Sequence, residues 1–358
     1  MAASRCLYRT PVRATGAGFR KHAAVRPKPA EGLEAEKAAL LERLERIYRE
    51  GEEGLEKNKR VLFPPGGSGQ GRPVRVAYQG VRGSYCQEAA VRAFRRCDAV
   101  PCCEGMDSAF AAVESGAVDR AVVPVENSLD GVIERNYDLM LRHPEVRVVG
   151  ELLLPINHCL LGVDGGYSVK RVVSHPQALA HCQLRLADLG VEIEAVDNAA
   201  TAARFVAENG VRDTGVIGSS VAGREFGLRV IEENMQDDSS NTTRFFVLGK
   251  EAAAAPPPSP SRTTVAFSLE VGTAGLYKAL AIFAAQDVKV SGIQSRPLRE
   301  NPIRVVDGGD AGSFTYFEYV FFVDLEVSVM HPAVEEALAE LGHIATFVRV
   351  LGSYSLDS

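Results

Sequence analysis

Asp237-Asp238-Ser239-Ser240-Asn241-Thr242-Thr243-Arg244-Phe245-Phe246-Val247-Leu248 sets a turn-forming, hydroxyl-rich half directly before an apolar run. The run from Phe245 to Leu248 has the length of a buried strand, so the pattern predicts polar groups held at a strand's mouth. Small-molecule chemistry is commonly sited in such places. Thr243 can donate or accept a hydrogen bond, and Arg244 is a permanent, fork-shaped cation. The pair suits a carboxylate substrate with a hydroxyl that must be protonated or held. Taken alone, the same residues also read as an acidic turn leading into a strand with one salt-bridged arginine.

Upstream, from Val74, short apolar strands alternate with helical segments. Val74 to Tyr78 is followed by Gly80-Val81-Arg82-Gly83-Ser84-Tyr85, where Ser84 and Gln87 have capping-box spacing. The glycine turn thereby delivers free amides at a helix N-terminus, an end that can bind an anion. The arrangement recurs at Ala121 to Val125 with Glu126-Asn127-Ser128. It recurs at Val169 to Val173 with Ser174-His175-Pro176-Gln177, where Pro176 suits a first helical turn, and at Gly215 to Gly218 with Ser219-Ser220. Helix capping needs the same residue types, so each is individually weak. Together they predict an α/β domain over 74–251 with parallel sheets whose loops converge on a crevice.

Downstream, residues 252–261, with Pro256-Pro257-Pro258-Ser259-Pro260, have a stiff linker composition. Over 262–353 the spacing predicts strands at Thr264 to Glu270, Val288 to Ser295, Phe314 to Leu325 and Ala345 to Leu351. Helices are predicted at Gly275 to Gln286 and Pro332 to Leu341. The order βαββαβ is the ferredoxin-like split unit, with the glycine-rich stretch 307–312 as a loop between its second and third strands.

The N-terminal part differs in kind. Residues 31–60 carry Leu33, Leu40, Leu41, Leu44, Ile47, Tyr48 and Leu55 at mostly helical spacing, an amphipathic arm for the body or another subunit. Residues 61–73 read as a linker. Residues 1–30 hold seven basic side chains and no acidic one, without an apolar core segment. This fits an organelle transit peptide better than a secretory signal; the other reading is a disordered basic tail.

Of 358 residues, 46% are hydrophobic and 24% charged, an ordinary composition for about two domains. The formal charge is −6, and without the leader 33 basic face 46 acidic side chains, or −13. So acidic a body argues against nucleic acid as partner. No apolar run approaches the roughly 18 to 20 residues that a membrane span needs, so no membrane partner is expected. Seven cysteines show neither a paired framework nor metal-site spacing. In His158-Cys159 and His181-Cys182 neighbouring side chains diverge, and both pairs read as packing residues.

Val123-Pro124-Val125-Glu126-Asn127-Ser128, Arg135-Asn136-Tyr137-Asp138, Ser174-His175-Pro176-Gln177-Ala178-Leu179 and Asn241-Thr242-Thr243-Arg244-Phe245 occur in that order. With these motifs the chain, over about Val74 to Ser353, resembles the prephenate dehydratase family in its plant or algal arogenate dehydratase form. The resemblance implies a two-lobed, periplasmic-binding-protein-like catalytic domain, with a second lobe over about 153–228, followed by a regulatory ACT domain that binds phenylalanine at a subunit interface. A homodimer or homotetramer is expected, and the plant-type resemblance implies the plastid as the leader's destination. The implied reaction is decarboxylation with dehydration of a cyclohexadienol to an aromatic ring, with arogenate or prephenate as substrate. Aromatisation drives it, so neither metal nor redox cofactor is required.

In that reading Thr243 is the catalytic donor to the leaving hydroxyl, and Arg244 orients the strand or binds a carboxylate. Substrate-binding candidates are Gly83, Ser84, Glu126, Asn127, Ser128, Ser174, Gln177, Thr201 and Phe245. Glu126 either pairs with the substrate ammonium or serves as a cap or salt bridge. The family usually has a threonine where Ala199 stands, so one hydroxyl contact is either missing or supplied by Thr201. The phenylalanine site would comprise Gly272, Thr273, Ala274, Gly275, Leu276, Gln294, Ser295 and Arg296. Gln294 replaces the family's usual glutamate, and either faces the ligand or merely ends a strand. Prephenate as substrate and a non-catalytic amino-acid sensor are the competing functions; the intact Thr243-Arg244 pair favours an enzyme.

Overall fold

The computed structural model describes residues 72–102, 105–163, 169–251, 260–269, 272–300, 302–307 and 313–356. The basic leader, the helical arm, most of the linker after it, the Pro-rich segment and the loop at 308–312 lie outside these residues.

The first sheet is built from β1 (Val74–Gln79), β2 (Cys97–Cys102), β3 (Arg120–Asn127), the short β4 (Gly131–Val132) and β5 (Arg147–Pro155). Helices α1 (Tyr85–Ala93), α2 (Met106–Glu114) and α3 (Glu134–Arg142) connect them. The second lobe holds β6 (Cys159–Gly162), β7 (Arg171–Ser174), β8 (Glu192–Ala195), β9 (Thr214–Gly218) and β10 (Arg229–Glu232), with α4 (Pro176–Ala180), α5 (Gln183–Leu189), α6 (Ala199–Glu208) and α7 (Ser220–Phe226). The chain then returns through β11 (Thr242–Gly249) into the first sheet, whose order is β2-β1-β3-β11-β5.

Neither sheet is purely parallel, which corrects the sequence expectation. β1, β2 and β3 are parallel, but β11 runs antiparallel to both β3 and β5. In the second sheet, ordered β10-β6-β9-β7-β8, β6 and β10 supply the antiparallel pairs. A strand that returns from the other lobe enters from the opposite end, so it cannot continue the parallel winding. The second lobe also begins later than 153: Leu153 to Pro155 are the end of β5. Two crossing segments join the lobes. Ile156 N donates to Asn241 O at 2.8 Å and Met235 N to His158 O at 2.8 Å.

β11 is buried on both faces, which is why its sequence is a continuous apolar run. Phe245 and Val247 pack with Tyr78, Phe94 and Leu154 beneath α1. Phe246 and Leu248 face Tyr137 and Val148 on the other side.

The C-terminal domain contains β12 (Ser261–Leu269), α8 (Gly272–Ala285), β13 (Val290–Pro297), β14 (Ile303–Asp307), β15 (Ser313–Phe317), β16 (Tyr319–Leu325), α9 (Pro332–Gly342) and β17 (Ala345–Ser355). Its sheet, β13-β16-β12-β17, is antiparallel throughout, and with its helices it gives the expected βαββαβ order. The strand expected over Phe314 to Leu325 divides at Glu318. There the backbone donates to Pro302 O, accepts from Leu298 N, and the buried carboxylate pairs with Arg304. The segment before the break instead forms a ribbon with β14.

One face of this sheet is covered by α8 and α9. Its other face, with Ala266, Val320, Phe322, Leu351 and Tyr354, belongs to the same core as Phe246, Tyr137 and Val148 of the first lobe. Gly352 marks the closest approach: a β-carbon there would lie 2.0 Å from Val148 O.

Candidate active site

Thr243 opens β11 at the lobe junction, paired with Asn127 on β3 and Leu154 on β5. Side chains alternate along a strand, so Thr243 shares the α1 face with Phe245 while Arg244 takes the opposite face. The sequence had placed the two at one substrate, and the pleat separates them. Thr243 Oγ1 accepts from Asn127 Nδ2 at 3.0 Å. Its own hydrogen has no acceptor among the described residues.

Arg244 is committed to protein carboxylates. Nε donates to Glu151 Oε2 at 2.8 Å, Nη1 to Asp324 Oδ2 at 2.5 Å and Nη2 to Tyr354 Oη at 3.3 Å, with its guanidinium 4.8 Å above the Phe246 ring. Arg262 shares Glu151, and Thr264 Oγ1 donates to Asp324 Oδ1 at 2.7 Å. Burial opposes the charge on Arg244, but Asp324, Tyr354 and Glu151 raise its pKa further above the ordinary value. Arg244 therefore ties β11 to the C-terminal sheet through Asp324 and Tyr354. Glu126 Oε2 lies 3.9 Å from Arg244 Nη1.

Several other expected ligands are used internally. Asn127 spends its amide on Thr243 and Asn241, and its carbonyl on the turn amides of Leu129 and Asp130. Ser128 Oγ donates to Ser240 O and accepts from Thr242 N, stitching β3 to β11. Ser174 is fully buried and donates to Ile217 O. Phe245 is a core residue at 1% exposure.

Ser84 caps α1 as its spacing predicted, accepting from Gln87 N, while Gln87 Oε1 takes the Gly83 amide at 2.6 Å. Ser219 of the second lobe donates to Gly83 O at 2.8 Å, and a β-carbon at Gly83 would meet Phe226 and Ala222 of α7. The Gly83 amide expected to hold an anion is thus occupied, and the two lobes touch there. Gln177 and Thr201 have exposed side chains on α4 and α6.

Residues read as packing, or passed over, form a network that reaches Thr243 through Asn127. Asn241 is 1% exposed; it accepts from Asn127 Nδ2 at 2.8 Å and lies 3.2 Å from His181 Nδ1. His181 Nε2 is 3.2 Å from Asp130 Oδ1. The His158 ring lies 5.8 Å from that of His181, and its Nδ1 is 2.7 Å from Tyr85 Oη. His158 Nε2 is buried with no partner among the described residues. Burial pushes the His158 pKa down to about 4, aided by His181 and opposed by Asp130. Cys159 and Cys182 do pack in the second lobe's cores, as expected, but their histidine neighbours turn to the junction. Two histidines beside the crossing segments were the sequence signal available.

The prephenate dehydratase family profile matches residues 76–253. Arogenate dehydratase 2 of Petunia hybrida is 48% identical over 291 residues, covering 81% of this chain and 73% of the relative. The chain belongs to the prephenate dehydratase family. Arogenate dehydratase/prephenate dehydratase 6, chloroplastic, of Arabidopsis thaliana is 47% identical, covering 80% of this chain and 70% of the relative. Among solved structures, a prephenate dehydratase in complex with L-Phe from Arthrobacter aurescens aligns with a TM-score of 0.68 at 26% identity, covering 79% of this chain and 90% of that one. GqqA, described as a novel type of quorum quenching acylase, aligns with the same TM-score at 29% identity, over 78% of this chain and 97% of that one.

One motif by which this dehydratase resembles its family proves to be a joint. In Arg135-Asn136-Tyr137-Asp138, Asn136 donates to Pro124 O at 2.6 Å and Tyr137 packs edge-on against Phe322 of the C-terminal sheet. Buried Asp138 accepts from Arg296 Nη2 at 3.1 Å and pairs with Arg299 at 2.7 Å. Arg296, expected at an effector, is thus bound to α3, where Glu134 also pairs with it. Strand alternation places Gln294 on the face of Arg296 and Ser295 on the opposite face. Gly272, Thr273 and Ala274 form the first turn of α8 rather than a turn before it. Gly275 faces Leu269, where a β-carbon would come within 3.1 Å, and Leu276 packs into the C-terminal core.

Proposed function

We propose that this protein converts L-arogenate to L-phenylalanine, acts in the plastid and is restrained by phenylalanine. The single observation that carries the catalytic reading is the Thr243 hydroxyl, held as an acceptor by Asn127 with its own hydrogen left for a ligand at the lobe junction. In the reaction the ring carboxylate departs as carbon dioxide and its electron pair enters the ring. The C–O bond breaks, and the hydroxide leaves as water after taking up one proton. Thr243 donates a hydrogen bond where that negative charge develops, and such a donor acts through position more than acidity. Arg244 keeps β11 in register. Ser84, Gln177 and Thr201 remain the candidates for the carboxylates and the amino-acid tail.

Relatives named for arogenate and chloroplasts support the substrate and the compartment. Relatives named for both substrates support prephenate as the alternative. The L-Phe complex of the bacterial relative supports phenylalanine binding; the effector site we propose for it is the first turn of α8, Gly272 to Leu276, with Gln294 or Ser295 of a partner subunit in a homodimer or homotetramer. The helix N-terminus there favours a carboxylate.

Purified protein incubated separately with arogenate and with prephenate tests the reading. Phenylalanine is expected from the first, faster than phenylpyruvate from the second. The reverse ratio establishes the alternative, and no turnover of either leaves a ligand-binding protein without this chemistry. Calorimetric titration with phenylalanine is expected to show binding, tightened several-fold by Gln294→Glu. Absence of heat with both proteins removes the effector site.

A further inference from the structure

The turn amides of Leu129 and Asp130 set the polarity of a hydrogen-bond chain that ends at Thr243. Both donate to Asn127 Oδ1, at 2.9 and 3.0 Å, so that atom is the carbonyl. The two hydrogens of Asn127 Nδ2 then go to Thr243 Oγ1 at 3.0 Å and to Asn241 Oδ1 at 2.8 Å. Asn241 in turn presents its own NH2 to His181 Nδ1, 3.2 Å away, and Nδ1 must accept. A neutral imidazole that accepts at Nδ1 carries its hydrogen on Nε2, and Nε2 faces Asp130 Oδ1 at 3.2 Å. Asp130 therefore supplies an amide to the start of the chain and a carboxylate to its end.

We propose that His181 and Asn241 are positioning residues which, through Asn127, hold the Thr243 hydroxyl as a donor toward the substrate; this rests on the dehydratase reading above. A donor at His181 Nδ1 would face the Asn241 NH2. Relief would require Asn241 to turn, then Asn127, costing the two turn amides their acceptor and drawing the Thr243 hydrogen back into the protein. His181 caps α4 in the second lobe, whereas Asp130 and Asn127 belong to the first. The chain is complete only while the lobes are together, so closure and orientation of the donor are one event.

The charged and titratable groups facing His181 are Asp130 from the β3–β4 turn and His158 from the first crossing segment, behind which stands Tyr85 of α1. Asp130 favours the Nε2–H form.

The test compares His181→Lys, which offers only donors, with His181→Gln, which can still accept from Asn241. With arogenate or prephenate, whichever the wild type turns over, His181→Lys is expected to lower kcat about 10- to 100-fold with KM within about threefold. His181→Gln should recover most of kcat. Equal kcat in wild type and His181→Lys, or equal damage in both variants, overturns the positioning role. Nitrogen-15 NMR of the wild-type imidazole above pH 8 decides the polarity without turnover: a bare Nδ1 and protonated Nε2 are expected, and the opposite tautomer refutes the chain even if a variant fails to fold. Wild-type protein inactive on both substrates would instead remove the dehydratase reading, leaving the tautomer result to stand on its own.

Discussion

Asp324→Ala should be among the more damaging single changes outside the core, for a reason visible in four side chains. Arg244, Glu151, Asp324 and Arg262 are only 11%, 11%, 9% and 19% exposed, and together they balance two positive against two negative charges. Removing Asp324 takes away the 2.5 Å partner of Arg244 and the acceptor of Thr264, leaving an unmatched cation beside the C-terminal sheet. Breaking one side of a buried pair costs about 3 to 5 kcal/mol. For about 3 kcal/mol the thermal midpoint should fall by roughly 6 to 12 °C. The companion variant Arg244→Met/Asp324→Leu removes one charge of each sign and leaves Arg262 with Glu151, so it should be more stable than Asp324→Ala. Thermal unfolding followed by circular dichroism at pH 7 reads all three proteins. An Asp324→Ala protein that loses less than about 1 kcal/mol, or a double variant no more stable than Asp324→Ala, would show that these charges are not coupled.

Thr243→Ala is expected to lower kcat by about ten- to a thousandfold, with Thr243→Ser retaining more, because one preorganised donor is lost; wild-type turnover in folded Thr243→Ala removes it from the mechanism. Gly352→Ala should cost about 3 kcal/mol in urea unfolding, since its β-carbon collides with the Val148 carbonyl and neither backbone can yield alone; an unchanged midpoint would mean that the sheets are not in fixed contact there. For His158 the sign follows from a folded pKa of about 4 against an ordinary value of about 6.5. As pH falls the unfolded chain takes the proton first, so stability is intact above about pH 6.5 and declines toward pH 4, by about 3 kcal/mol in all. His158→Gln should flatten that interval, and an unaltered slope would assign the loss to other groups.

The elements of the catalytic domain were legible because they rest on local chemistry. Ser84 and Gln87 cap α1, Pro176 opens α4, and Phe245 to Leu248 form a buried strand as their spacing implies. What the sequence concealed depends on partners distant along the chain. Nothing local tells that Thr242 to Gly249 crosses back from a second lobe and runs antiparallel to its neighbours. The pleat was legible in principle, since consecutive strand residues face opposite ways, and it should have separated Thr243 from Arg244 at the outset. Asn127 and Ser128 looked like ligands because an amide and a hydroxyl at a turn serve equally to bind a substrate or to bind the chain. His181 looked like packing because its partners, Asn241 and Asp130, lie 60 and 51 residues away. Arg296 pairs with Asp138 across 158 residues, and no periodicity announces such a contact.

Thr243 and Arg244 are joined by one peptide unit and look out of opposite sides of the first sheet. β11 is therefore an axle running between two compartments. A roll that carries Arg244 toward Asp324 swings Thr243 the other way, with no relay of side chains through the core. Catalytic groups tolerate roughly 10 to 20° of such rotation, and a displacement of about 1 Å can cost a hundredfold in rate. On the role proposed for Thr243, the grip of the C-terminal sheet on a single guanidinium would set the angle at which a hydroxyl on the far side of the sheet meets its substrate.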